Sequence, residues 1–356
     1  MAKPESYSRL GFRIPHWSTW LLVVMGLWVA AALSWHRIQW GPPAYALVIS
    51  AVWYPPLLAG SAVLALRVSR RADIHPRERR GWTIFALAFL SMGTACALLL
   101  SYALRGFYEF PSMADGLFML FYPVMMGGLL SLPFSPAARF SRAVFWIDVS
   151  IVAVAGFMIS WLYVLGPTIS ASQDSLLARV LSLTYPINDL ALLFGLVASW
   201  LRRGPGQGTG LTMLCLGTLN LIGADTVWGY QLHQGTYQPG SVADSLWCTA
   251  YFLFALGAYM EAGSKRHREQ QAPEAQLRSP GQGSYLAVTL SYIILVLLVY
   301  RNTERDDLIF AALFAASCLL IARLFVMNQA KIAAEKATSG VEARFRALVQ
   351  NAADAI

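Results

Sequence analysis

Ten apolar stretches, parted by short polar segments, make up most of this chain. They lie at 17–36, 43–66, 82–104, 112–133, 143–165, 177–201, 210–231, 242–261, 284–300 and 308–327. Each meets the roughly 17–25 residues that an α-helix needs to cross the hydrocarbon core of a bilayer. Inside lipid every backbone polar group must be bonded internally, and a single run of this length can do that only as a helix. The pattern predicts an all-α polytopic membrane protein of about ten transmembrane helices. The ninth run is the shortest, with Tyr285 and Tyr300 placed as interfacial anchors.

Two of the runs begin alike. Tyr108, Ser112, Ala114, Asp115, Leu117 and Phe118 align with Tyr237, Ser241, Ala243, Asp244, Leu246 and Trp247 at a constant offset of 129 residues. Gly106 with Gly235 and Tyr122 with Tyr251 keep the same offset. A second echo, at offset 131, joins Tyr54-Pro55 to Tyr185-Pro186, each followed by an apolar run that ends in paired arginines. The chain is therefore expected to hold two tandem four-helix repeats, 17–133 and 143–261, with two further helices in 284–327. Four is an even number, so the copies share one orientation and form a parallel repeat.

Composition agrees with a lipid solvent. Hydrophobic residues make up 57% and charged residues 13%, against about 45–50% and 25% in soluble domains. The net charge of +8 does not imply a nucleic-acid partner, because the basic residues fall in loops between apolar runs. Counted on alternate sides of the ten spans, Lys and Arg divide 21 to five, with Arg323 inside the last span. That bias predicts cytoplasmic termini, with 1–16 as a cytoplasmic N-terminus. The first run lacks a clear cleavage site and is expected to span. Cys96, Cys215, Cys248 and Cys318 all lie in apolar runs and form no CxxC pair, so they are expected to be small buried hydrophobes.

The membrane acids are the candidate chemistry. Asp115 and Asp244 each follow Ser-x-Ala at the start of a span. Helix capping by Ser112 and Ser241, with a carboxylate at the positive end of the dipole, is one reading. A pair of acids at the mouth of an external pocket, with Tyr108 and Tyr237 beside them, is the other. Asp189 falls near the middle of its run, after Pro186, where a lone carboxylate costs about 2.5–3.5 kcal/mol to insert. It must find a partner, and Asn220 and Asp225 on the next span are at a suitable depth. Asp115, Asp189, Asp225, Asp244, Tyr108 and Tyr237 are thus the candidate ligand-binding residues. His16, His36, His75, His233 and His267 lie in loops or at span edges, which does not suit haem ligation. No catalytic constellation, metal motif or phosphate loop is present, and no cofactor is expected.

Beyond Asn328 the composition turns to Lys, Ala and Glu, as in an exposed helix. Residues 328–340 are expected to form a linker helix, and Ser339-Gly-Val-Glu342 to open a fresh one as a capping box. The segment Glu342-Ala-Arg-Phe345-Arg-Ala-Leu348-Val-Gln-Asn351-Ala-Ala-Asp354-Ala-Ile356 resembles the opening of a PAS sensory domain. Residues 341–356 would then be the start of such a domain, interrupted at Ile356. The rest of the chain is similar to the multi-span input modules of bacterial signalling proteins, in which PAS domains commonly precede GGDEF and EAL domains or a histidine kinase. The resemblance implies a sensory input module in the bacterial inner membrane. It implies an output in cyclic di-GMP turnover, or alternatively a kinase, beyond these residues. Signalling helices of this kind work in pairs, so a homodimer is expected, in a lipid bilayer, responding to a small-molecule or lipid cue. A transporter or channel is the rival from another class. A membrane enzyme using the acids is a third option without a nucleophile–base set to support it.

Overall fold

The computed structural model describes residues 16–106, 110–132, 139–170, 175–201, 209–263, 282–301 and 307–353. All regular structure among them is helical. In chain order the helices are α1 (His16–Ile38), α2 (Ala46–Val52), α3 (Tyr54–Ser69), α4 (Pro76–Leu104), α5 (Met113–Ser131) and α6 (Arg139–Ser160). They continue with α7 (Gly166–Ser170), α8 (Leu176–Leu201), α9 (Thr209–His233), α10 (Val242–Gly263), α11 (Gln282–Arg301) and α12 (Asp307–Ala353). Among the described residues nine helical segments are long and apolar enough to cross a membrane, and α11 adds a shorter apolar stretch at Ala287–Leu298. The chain is an all-α polytopic membrane protein.

Prolines shape the interruptions. The second span is a helical turn at Pro43–Tyr45, then α2, then α3. Pro55 and Pro56 cannot donate backbone hydrogen bonds, so the ladder breaks at Trp53. The indole of Trp28 donates to the Trp53 carbonyl at that break (3.1 Å). The fifth span widens into a π-turn, Trp161–Leu165, just ahead of Gly166 and Pro167.

The helices fall into two compact units, one of residues 1–134 and 160–269 and one of 135–159 and 270–356. Within the first unit the contacts match the offsets in the sequence. α4 packs on α5 as α9 packs on α10, and α3 on α4 as α8 on α9. The copies also exchange partners: α3 packs on α10, and α8 on α5. Gly106 and Gly235 end α4 and α9 at φ of +63° and +64°. Each donates its N–H to the carbonyl three residues back, Ala103 or Leu232, at 3.1 Å. Glycine is needed there because a side chain is strained in the left-handed region. The equivalence of α6 with α1 is not carried into this unit, since most of α6 belongs to the second one.

Two expectations are corrected. Cys96, Cys215 and Cys248 are buried as expected, but Cys318, on α12, is exposed. Ser339 and Gly340 lie inside α12, which runs for 47 residues without a break, so no new helix opens there. Ser339 and Gly340 are poor helix formers, costing about 1 kcal/mol or less each, but a helix already nucleated upstream can propagate through them. Ile356, the last residue of the segment that resembles the opening of a PAS domain, lies outside the described residues, as does Tyr108.

Candidate functional site

The carboxylates at the two equivalent helix starts are capping groups first. Asp115 Oδ2 accepts the N–H (2.7 Å) and hydroxyl (2.9 Å) of Ser112. Asp244 Oδ2 accepts the N–H (3.0 Å) and hydroxyl (3.2 Å) of Ser241, and the Gly240 N–H (3.0 Å). Each also takes a phenol from the opposite repeat: Tyr185 donates to Asp115 (2.6 Å) and Tyr54 to Asp244. Those tyrosines are the two that echo at offset 131, so a reciprocal pair of bonds ties the copies together. Asp244 Oδ1 also accepts Ser50 (2.8 Å) and Tyr237 (3.3 Å). Its two oxygens thus have six donors, more than the roughly four lone pairs available, which suits a buried structural anion.

Asp189 and Asp225 differ from this pair. Asp225 accepts the Trp247 indole N–H (2.7 Å) and the Tyr122 hydroxyl (3.2 Å). Asp189, one turn beyond Tyr185 on α8, lies within hydrogen-bonding reach of Asp225 and Tyr122. It is 6% exposed, and its Oδ1 is buried with no partner. Asn220, the other suggested partner, instead donates to the Leu216 carbonyl of its own helix (3.0 Å). The tandem offsets place Leu58 opposite Asp189, Cys96 opposite Asp225, Tyr251 opposite Tyr122 and Phe118 opposite Trp247. In that copy Tyr251 and Cys96 lie close to one another where the first site has Tyr122 and Asp225. The acids are thus a local departure from the duplicated framework.

Aromatic side chains join the four acids. The Tyr185 and Tyr122 rings lie 6.5 Å apart, centroid to centroid. Trp247 stands 6.2 Å from Tyr54 and 6.3 Å from Trp228, which in turn meets Tyr237 at 6.4 Å. Asp115, Asp189, Asp225 and Asp244 therefore belong to one network of hydroxyls, carboxyls and rings. A separate cleft of about 200 Å³ lies beside it, lined by Trp35, Gln39, Trp40, Pro42, Gln238 and Pro239 among others, and none of the four acids reaches it.

Two groups escaped the sequence reading. In the second unit Asp148 of α6 accepts the Arg323 Nε of α12 at 2.5 Å, both side chains 3% exposed. The guanidinium also lies 4.5 Å from the centre of the Tyr285 ring on α11. The signal available was charge parity, one acid and one base each inside an apolar run. Arg71, outside the spans, donates to the Glu261 carbonyl at the end of α10 (2.5 Å) and pairs with Asp73, whose hydrogen bond holds its guanidinium above the ordinary range. Among the described residues no group of three or more His, Cys, Asp or Glu side chains is placed to hold a metal ion. No protein-family model, curated protein or solved structure matches the chain.

Proposed function

We propose that this chain is the membrane-embedded input module of a bacterial signal-transduction protein, carrying a cue from the bilayer or the outside to a PAS-like segment in the cytoplasm. The observation that carries the reading is α12. Its membrane-spanning part, Asp307–Ala333, continues without a break to Ala353. The helix is about 70 Å long at about 1.5 Å per residue, so a shift in the membrane reaches its far end as a rigid displacement. The Asp148–Arg323 pair fixes this rod to α6 within the membrane. A transporter has no evident use for such a rod.

The remaining proposals follow from the same reading. Both termini lie in the cytoplasm of a bacterial inner membrane, as the 21-to-five division of basic residues supports. Two copies associate through their α12 helices. The output is cyclic di-GMP turnover, with a histidine kinase as the alternative.

An insertion series tests the coupling. One to four alanines are added between Ala337 and Thr338 of the full-length protein, and cellular cyclic di-GMP and autophosphorylation are measured. Each inserted residue turns everything downstream by about 100°. Output should rise and fall with the helical period. A flat response in both cyclic di-GMP and autophosphorylation overturns the coupling, and solute flux through liposomes carrying the chain replaces it with transport.

A further inference from the structure

We propose that Asp189 and Asp225 form a proton-binding site inside the bundle, with one exchangeable proton held between the two carboxyls. The inference deepens the sensory reading and rests on it only for what the proton signals.

The geometry assigns the proton. Two carboxyls within hydrogen-bonding reach can bond only if one of them carries hydrogen. Asp225 already accepts an indole N–H and a phenol O–H, which is the environment of an anion. Asp189 has an oxygen, Oδ1, that is buried and unpartnered. As a carboxylate that oxygen would be a desolvated charge without a donor, which is costly. In the neutral acid that charge is gone, and the acid's O–H becomes the third donor to Asp225. The neutral acid thus accounts for both the unpartnered atom and the contact between the two carboxyls.

Departure from the tandem framework argues for a purpose. At the equivalent positions the chain has Leu58 and Cys96, so the packing itself does not require acids. Both belong to the buried core beside Tyr251. The titratable groups that face the pair are Tyr122 from α5, Tyr185 from α8 and, beyond them, Tyr251 from α10 and Cys96 from α4. All are neutral when protonated, and none supplies a positive charge to hold two carboxylates together.

Loss of the proton to water leaves two adjacent anions. Their mutual repulsion is strong in so poorly solvated a place, because no water or counter-charge screens it. The contact between α8 and α9 must then open or take up a cation. Pro186, three residues before Asp189, leaves a missing hydrogen bond in α8 where the helix can give. Protonation is thereby linked to the distance between α8 and α9.

Infrared difference spectroscopy on the whole chain in lipid nanodiscs tests the site, stepping pH from alkaline to acid. The spectrum of Asp189→Asn is subtracted from that of the unaltered chain, which cancels surface carboxyls. The expected result is the carbonyl band of one buried protonated carboxyl per chain, unmoved by sodium and shifted in frequency in Tyr122→Phe. That last variant keeps the ring, so it reports even if Asp189→Asn does not fold. Absence of the band, an undiminished band in Asp189→Asn, or no shift in Tyr122→Phe overturns the proposal. Displacement of the band by sodium also overturns it, and makes the pair a cation site. The measurement needs no output domain. A band with flat insertion-series signalling keeps the proton site and defeats the sensory reading, and the reverse outcome does the opposite.

Discussion

Replacing Asp148 by Leu strands Arg323 in the membrane, and the structure sets how much that should cost. Both side chains are 3% exposed and meet at 2.5 Å. Breaking a buried pair by removing one member costs about 3–5 kcal/mol. Two features reduce this. The Tyr285 ring, 4.5 Å from the guanidinium, recovers about 1–2 kcal/mol by cation–π attraction in a desolvated setting. Arg323 also lies about 24 Å along α12 from Asp307, within about 6 Å of the far edge of a hydrocarbon core about 30 Å thick. Its long side chain can then snorkel toward the headgroups. The net loss should be about 2 kcal/mol, a shift of roughly 30-fold in the unfolding equilibrium. Joining Asp148→Leu with Arg323→Met should restore most of it, because neither side chain then needs a partner. Unfolding by a denaturing detergent titrated into mixed micelles, followed by tryptophan fluorescence, measures all three variants. A single variant as stable as the unaltered chain, or a double variant less stable than both singles, would refute the argument.

Three other outcomes are expected, the first two under the same assay and the third in signalling as well. Tyr185→Phe removes the donor on Asp115 Oδ1 and should cost about 2 kcal/mol, as for a hydrogen bond to a charged group. Tyr54→Phe should cost about 1 kcal/mol or less, since Asp244 keeps five other donors. Equal losses would show that the reciprocal bonds, and not the leftover valence, set the cost. Gly210→Ala puts a methyl carbon 2.7 Å from the Gly257 carbonyl oxygen and must part α9 from α10, whereas Gly223→Ala meets nothing within 4 Å. The first should destabilise by about 1–3 kcal/mol, the second should be neutral or stabilising by up to about 1 kcal/mol, and a reversal would put the close helix crossing in doubt. Gly340→Pro removes a backbone donor inside α12, costs about 3 kcal/mol of local helix, and should abolish signalling without lowering the stability of the membrane bundle. Intact signalling would show that α12 is not the route.

What was legible in the sequence is what local physics decides. A long apolar run has one stable form in lipid, so the described spans fall within a few residues of where the hydropathy put them. The Ser-x-Ala-Asp starts are local too, because a side chain three residues away can reach the free N–H groups of its own helix. The constant offset of 129 had already paired Gly106 with Gly235, whose positive φ values agree. The break at Trp53 followed from Pro55 and Pro56, but its effect on the second span was not anticipated.

Tertiary structure decided which polar groups meet. Nothing in either repeat says that Tyr54 bonds Asp244 across 190 positions while Tyr185 bonds Asp115 across 70. Those pairings depend on α3 lying against α10 and α8 against α5, an arrangement of whole helices that sequence spacing does not encode. Asp189 could be judged costly from its depth, yet whether Asn220 or Asp225 would answer it turned on which face of α9 meets α8. Asp148 and Arg323 stand 175 residues apart, and only the folding of α6 and α12 into one unit makes them a pair. The unbroken course of α12 through Ser339 and Gly340 has a related cause. Capping residues stop a helix only when the chain gains by turning there, and a helix already growing from the membrane need not turn. In a bilayer, burying apolar surface between helices gains little over lipid, so close packing and polar pairs select partners. These are contacts between distant residues, and they exist only once the helices have assembled.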